Sequence, residues 1–257
     1  MNRIDQTFAK LKSDGRKGLV GYLTAGDPDM EQSERNIKAA IADGLDVLEL
    51  GVPFSDPTAD GPTIQAASQR SLAAGTTLRK VIELVGRLRK DSDIPIVLFG
   101  YANPFFVYGY DALCADAAKA GVDGFLVVDM PFEESGEMQD AMDRHGLCRI
   151  PLIAPTTGQD RAATILKAAA GFVYYIMFKG VTGTRGQVAV DVGEHLAPLR
   201  QHTDLPIAVG FGISNAEQAR DAAKTADAVV VGSALVEAGL EGRLGALVPE
   251  LSSALKP

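Results

Sequence analysis

Cysteine is scarce in this chain of 257 residues. Only Cys114 and Cys148 are present, too few for a disulfide framework, and a reducing cytoplasmic setting is expected. Histidine is nearly as rare. His145, His195 and His202 all stand away from the ends of apolar runs, which argues against Ser-His-Asp catalysis and against a His-ligated metal; no metal is expected. No apolar stretch approaches the roughly 18 residues of a membrane span. The first residues are mixed in charge, with Ile4, Phe8 and Leu11 recurring on one face, so they read as an amphipathic helix and not as a signal peptide. Positive charge is in deficit, with 25 basic against 33 acidic residues and a net charge of −8. Without basic clusters, nucleic acid and anionic membranes are poor partners, and an anionic ligand has to be held by local dipoles.

Apolar residues make up 46% of the chain, enough for one large core. They gather in eight runs of strand length: Leu19 to Leu23, Val47 to Leu50, Ile94 to Phe99, Phe125 to Val128, Arg149 to Ile153, Phe172 to Met177, Ile207 to Val209 and Ala228 to Val231. Helical segments with start and stop signals lie between them. Asp27-Pro28 opens one and Gly44 closes it; Pro62 opens another that Gly75 closes; Leu78 to Arg89, Asp111 to Gly121, Phe132 to Arg144 and Asp160 to Ala170 follow. Ser214 and Glu217 form a capping box, and a last helix spans about Leu244 to Leu255. Strict β-α alternation requires a parallel sheet. Eight such units in about 250 residues predict a closed (β/α)8 TIM barrel spanning 1–257 as one domain, with an extra N-terminal helix. An open doubly wound sheet is the alternative, but no GxGxxG follows the first strand.

One acid interrupts this pattern. Glu49 stands inside the run Val47 to Leu50, one face of which carries Val47, Glu49 and Gly51 and the other Leu48 and Leu50. A strand apolar on both faces is buried on both, so Glu49 is a carboxylate in a core or cleft near a strand's C-terminal end. No Arg or Lys occurs between Asp46 and Thr63. Two readings follow: a structural carboxylate paired with a distant cation, or a general acid/base whose proton is retained because burial disfavours the charged form. Asp60 follows eleven residues later, just before the helix that Pro62 opens.

In a barrel, chemistry gathers at the C-terminal ends of the strands. Tyr22, Glu49, Asp60, Tyr101, Asn103, Asp129 and Tyr174 fall there. The second and sixth strand-to-helix loops, Gly51 to Gly61 and Phe178 to about Val190, are long for such units and suggest lids; the sixth also reads as a plain surface loop. The last two strands end in the glycine turns of VGFGIS and VGSALV, around Gly210 to Ser214 and Gly232-Ser233. Two glycine turns in adjacent strands, at the corner where barrels hold phosphate, point to a phosphate group bound by backbone N–H donors. The stretch Tyr101 to Tyr110, YANPFFVYGY, is packed with aromatics. It either folds inward as local core or forms an apolar rim for a partner.

ELGVPFSDPTADGP, the YANPFF stretch, APTT, YY followed by KGVTG, and GFGIS with VGSA occur in this order along the whole chain. Together they resemble the tryptophan synthase alpha chain family. The resemblance implies retro-aldol cleavage of indole-3-glycerol phosphate to indole and glyceraldehyde 3-phosphate, with no metal or organic cofactor in this chain. It casts Glu49 as acid/base, Asp60 as acceptor of the indole N–H hydrogen bond, and Tyr174 as a site tyrosine. Tyr22, Phe99, Leu126, Ile153 and Phe211 fall where the family lines the indole pocket, with Tyr101 beside them. Thr182 and Gly183 match its sixth-loop lid, and Gly212, Gly232 and Ser233 its phosphate cup. The family pairs with a pyridoxal-phosphate beta chain in an alpha2beta2 heterotetramer, and Pro53, Phe54, Ser55 and Asp56 match its partner-contacting loop. Tyr22, where the family commonly has Phe, and Met177, where many members have a small polar residue, are departures. A free-standing indole-releasing lyase and a non-catalytic activator docked on a beta chain are the alternative functions.

Overall fold

A computed structural model describes residues 2–176, 185–210 and 212–257, and within these the side chains of residues 2–176, 192–210 and 212–257. Nine strands form one parallel sheet among the described residues: β1 Gly18–Thr24, β2 Val47–Gly51, β3 Ile96–Gly100, β4 Gly124–Val127, β5 Cys148–Arg149, β6 Leu152–Ile153, β7 Val173–Ile176, β8 Ile207–Gly210 and β9 Ala228–Val231. Their order, β5-β4-β3-β2-β1-β9-β8-β7-β6, places two pieces of one chain segment at its two ends. That segment closes the barrel. Ile150 N–H donates to the Phe125 carbonyl at 2.9 Å, and Tyr174 N–H donates to the Pro151 carbonyl at 2.9 Å. The single fifth strand expected from Arg149 to Ile153 is therefore split. Pro151 has no N–H, so the ladder to β4 stops there and the chain changes partner to β7.

The helices are α1 Arg3–Ser13, α2 Met30–Ala42, α3 Pro62–Ala73, α4 Leu78–Leu88, α5 Ala102–Tyr108, α6 Tyr110–Ala120, α7 Gly136–Arg144, α8 Gln159–Lys167, α9 Arg185–Leu199, α10 Ala216–Ala223, α11 Ser233–Leu240 and α12 Leu244–Ala254. Several differ from expectation for identifiable reasons. The helix expected from Phe132 is a 3-10 turn, Phe132–Glu134, followed by α7. The cap of α10 is Asn215, whose side chain accepts from Gln218 N–H at 3.0 Å; Ser214 instead donates its N–H to the Gln218 side chain at 2.8 Å. The aromatic stretch after β3 contains the helix α5, which ends at Gly109 with φ of 88°. None of the helices over described residues is long and apolar enough to cross a membrane.

Alternation along the strands divides the core in two. Val20, Val47, Val97, Leu126, Ile150, Phe172 and Ala208 face the barrel interior, whereas Leu48, Leu50, Leu98, Phe125, Val173 and Val209 face the helices. Helix α1 closes the N-terminal end of the barrel. Asn2 and Asp5 cap it reciprocally, and its buried Ile4, Phe8 and Leu11 join the interior cluster, with the Phe8 and Phe172 rings 5.7 Å apart. Burial of three such side chains is worth about 5–9 kcal/mol, comparable to the whole net stability of a domain at roughly 5–15 kcal/mol. The opposite end of the barrel is left for chemistry.

Candidate active site

Glu49 points into the barrel from β2, in register with Tyr22 on β1 and Val97 on β3. It is 1% exposed, and its Oε1 has no hydrogen-bond partner among the described residues. Burial alone raises its carboxyl to about 8. Asp123 shows what a structural acid looks like in the same barrel. It is equally buried, but it pairs with Arg89 at 2.6 Å and Arg3 at 3.0 Å and accepts Ile96 N–H at 2.8 Å. Glu49 has no such cation among the described residues, which leaves the paired-carboxylate reading without a partner there.

Asp60 lies in the loop after β2. Its backbone is fixed by an N–H bond to the Pro57 carbonyl at 3.1 Å and by the Gln65 side-chain amide, which donates to its carbonyl at 2.8 Å. Burial raises its carboxyl to about 6, with the Tyr101 hydroxyl pulling the other way. That hydroxyl also accepts Ala59 N–H at 3.0 Å, and the Tyr101 ring lies 5.2 Å from Phe54. Tyr101 therefore ties the second loop to the end of β3 and holds Asp60 in place.

Tyr22 and Tyr174 stand on either side of this pair. Tyr22 packs edge-on against Phe99, ring centroids 5.1 Å apart, and its hydroxyl accepts from the Thr24 hydroxyl at 3.3 Å. A Cβ at Gly51 would fall 2.1 Å from that hydroxyl, so glycine is required beside Glu49 for the Tyr22 phenol to fit. Tyr174 faces the interior from β7, and burial together with the Glu49 charge holds its phenol firmly protonated. A Cβ at Gly210 would lie 2.6 Å from its hydroxyl.

Leu126 is fully buried in the interior, as expected of a pocket residue. Ile153 is not. It faces the helix layer with Tyr175, its partner across the ladder, and Leu152, paired with Tyr174, takes the inward position. Val128 and Leu152 are interior residues outside the expected set; Leu152 follows by alternation only once Ile150 is seen to face inward. At the glycine corner, Gly212 has φ of 79°. Gly232 precedes α11 and accepts Leu235 and Val236 N–H at 2.9 and 3.1 Å; a Cβ there would meet Tyr22 and Ile64 only at 3.7 and 3.8 Å. Ser233 begins α11, and the N–H groups of Ser233 and Ala234 precede the first bonds of the helix. Thr182, Gly183, Phe211 and Met177 lie outside the described residues.

Outside the barrel mouth, Pro53 is buried, Phe54 half-buried, and Ser55 and Asp56 exposed. Helix α5 follows both readings of the aromatic stretch. Phe105 is buried against Phe125, whereas Phe106 and Val107 are 65% and 76% exposed. Asn103 is exposed, and Asp129 accepts Ala102 N–H at 2.7 Å, tying the loop after β4 to this helix. Among the described residues no three His, Cys, Asp or Glu side chains gather as a metal cluster would.

The profile of the family described as Tryptophan synthase alpha chain matches residues 8–243. The chain belongs to the tryptophan synthase alpha chain family. A tryptophan synthase alpha chain from Geobacter sulfurreducens is 49% identical over 259 residues, covering 100% of this chain and 98% of its own. The crystal structure of tryptophan synthase subunit alpha from Legionella pneumophila superposes with a TM-score of 0.91 at 38% identity, covering 99% and 98% of the two chains. A chain from Aquifex aeolicus superposes with a TM-score of 0.93 at 40% identity over the full length of both. The fold is thus the family's TIM barrel, and the reaction is the alpha reaction of tryptophan biosynthesis, the lyase cleavage of indole-3-glycerol phosphate.

Proposed function

We propose that Glu49 and Asp60 divide the acid-base work of this cleavage. The observation that carries the proposal is a pair of carboxyls without a bonded cation among the described residues, one raised to about 8 and the other to about 6. Between those values Glu49 holds a proton and Asp60 is ionised. Glu49 gives its proton to C3 of the indole ring, while Asp60 accepts a hydrogen bond from the indole N–H as positive charge develops on the ring. Glu49, now a carboxylate, takes the proton of the glycerol hydroxyl next to the ring. The bond from C3 to that carbon breaks, its electron pair returns to the ring, and indole and the aldehyde glyceraldehyde 3-phosphate leave. The proton taken restores Glu49 for the next turnover.

Tyr22, Phe99, Leu126 and the inward Leu152 hold the indole, with Tyr174 below it as a neutral phenol and Tyr101 positioning Asp60. Gly212, Gly232 and Ser233 take the phosphate through backbone N–H groups, as suits a chain of net charge −8. By family resemblance Phe211 adds to the pocket, Thr182 closes onto Asp60 and Gly183 helps hold the phosphate. The protonated ring takes up the electron pair of the breaking carbon–carbon bond, and the remaining steps are proton transfers, so this chain uses no metal or organic cofactor of its own. It works as one domain, in the cytoplasm, as the alpha part of an alpha2beta2 assembly with a pyridoxal-phosphate beta chain. Exposed Phe106 and Val107, next to the loop of Pro53, Phe54 and Asp56, support that docking face.

The pH profile of kcat/KM for indole release tests the division of labour. It rises through about pH 6 as Asp60 ionises and falls through about pH 8 as Glu49 loses its proton. A rate that keeps rising above pH 8 would contradict the assignment of Glu49 as the acid. Adding a beta chain to the same assay is expected to raise the release, and Phe106→Asp to remove that rise without altering the isolated chain.

A further inference from the structure

A second cavity lies beside β4 and β5, toward the helix layer. Arg149, on β5, is in register with Phe125 and shares its outward face, since Cys148 and Ile150 on either side point inward. Outward positions of neighbouring strands carry Leu48, Leu98, Phe125, Val173 and Val209. A guanidinium in this layer is an exception that apolar packing does not explain. Burial depresses its hold on its proton, and burying a charge is costly unless it is paired. Among the described residues the half-buried Arg149 side chain makes no salt bridge or hydrogen bond; it lies over the Phe132 ring, 4.8 Å from the centroid. Of the nearby carboxylates, Glu133 acts on Arg149 through its charge but bonds Arg161 at 3.0 Å, and Asp129, at the cavity's edge, accepts Ala102 N–H.

The guanidinium opens onto a cavity of about 330 Å³ between α7 and α8. One wall is apolar, formed by Phe132, Met138, Met142 and Ile165. The other carries Arg149, the Thr157 hydroxyl and Arg161, and borders the start of α8, which has no capping side chain. The volume is in the range of small-molecule sites. Arg149 is the cation of this wall with no bonded carboxylate among the described residues, and guanidinium binds carboxylate with two parallel hydrogen bonds.

We propose that this cavity binds a small carboxylate with a flat apolar body, the carboxylate on Arg149 and the body against Phe132 and the methionines. Neither Glu49 nor Asp60 lines this cavity, although Leu152 borders it, and the proposal does not depend on the roles of the two acids.

Fluorine NMR on the full chain with 4-fluorophenylacetate tests it. Saturable binding is expected, weakened about tenfold or more in Arg149→Leu and for the uncharged amide of the same probe. Leucine suits the surrounding apolar layer, and unchanged indole release by the variant shows it folded. An uncleavable analogue of indole-3-glycerol phosphate is expected not to displace the probe. Absence of saturable binding, equal binding by the amide or by Arg149→Leu, displacement by the substrate analogue, or preference for inorganic phosphate over the carboxylate would each overturn the proposal. The carboxylate and amide comparison needs only the unaltered chain.

Discussion

Glu49→Gln lowers indole release by about 10²–10⁴-fold with little change in KM. Glutamine keeps the size and shape of the side chain but can neither give a proton to C3 nor take one from the glycerol hydroxyl. The indole pocket and the phosphate corner are untouched, because Glu49 has no partner among the described residues whose position it maintains. The loss therefore belongs to kcat, as for a group that acts only in the transition state. Steady-state release by the isolated chain reads this directly. A variant within about threefold of the parent would move the proton transfer away from Glu49.

The same substitution stabilises the protein at high pH. The Glu49 carboxyl is raised from its ordinary value of 4.5 to about 8 in the folded chain. Between those values the native state keeps a proton that the unfolded chain releases, so each rise in pH favours unfolding. The penalty is absent below pH 4.5, grows across this window and is complete above 8, where it reaches roughly 3–5 kcal/mol. Glutamine carries no such penalty. Urea unfolding of both proteins at pH 5 and pH 9 should show the variant gaining on the parent as pH rises. Any cost of burying the glutamine amide is the same at both values and cancels in the difference. A gap between the two proteins that does not change with pH would contradict the burial argument. A group kept at this expense to stability is of the kind found at functional sites, where strain is tolerated for chemistry.

Much of this site can be read before any coordinates. The run Val47 to Leu50 is apolar on both faces, and its period places Glu49 inside whichever sheet forms. The absence of Arg and Lys between Asp46 and Thr63 anticipates a carboxyl with no local cation. What the sequence leaves open is cation supply from elsewhere, and the contrast with Asp123, bound by Arg3 from α1 and Arg89 from beyond α4, shows how such supply arrives over long separations. The barrel itself follows from repeated β-α units. The phase of the fifth strand does not, because Arg149 to Ile153 is apolar at nearly every position and a uniform run carries no facing information. The change of partner at Pro151 then sets Leu152 inward and Ile153 outward. Helix α5 was hidden for a related reason. At seven residues it is too short to establish a period, and only Gly109 marked its end.

The central claim is that Glu49 still carries its proton near neutral pH while Asp60 does not. Carbon-13 NMR of the chain labelled at glutamate and aspartate side-chain carboxyls, with Glu49→Gln and Asp60→Asn assigning the two signals, measures this directly. The account predicts titration of Glu49 near 8 and of Asp60 near 6. A Glu49 signal that titrates near the ordinary 4.5 of a solvated glutamate would contradict it.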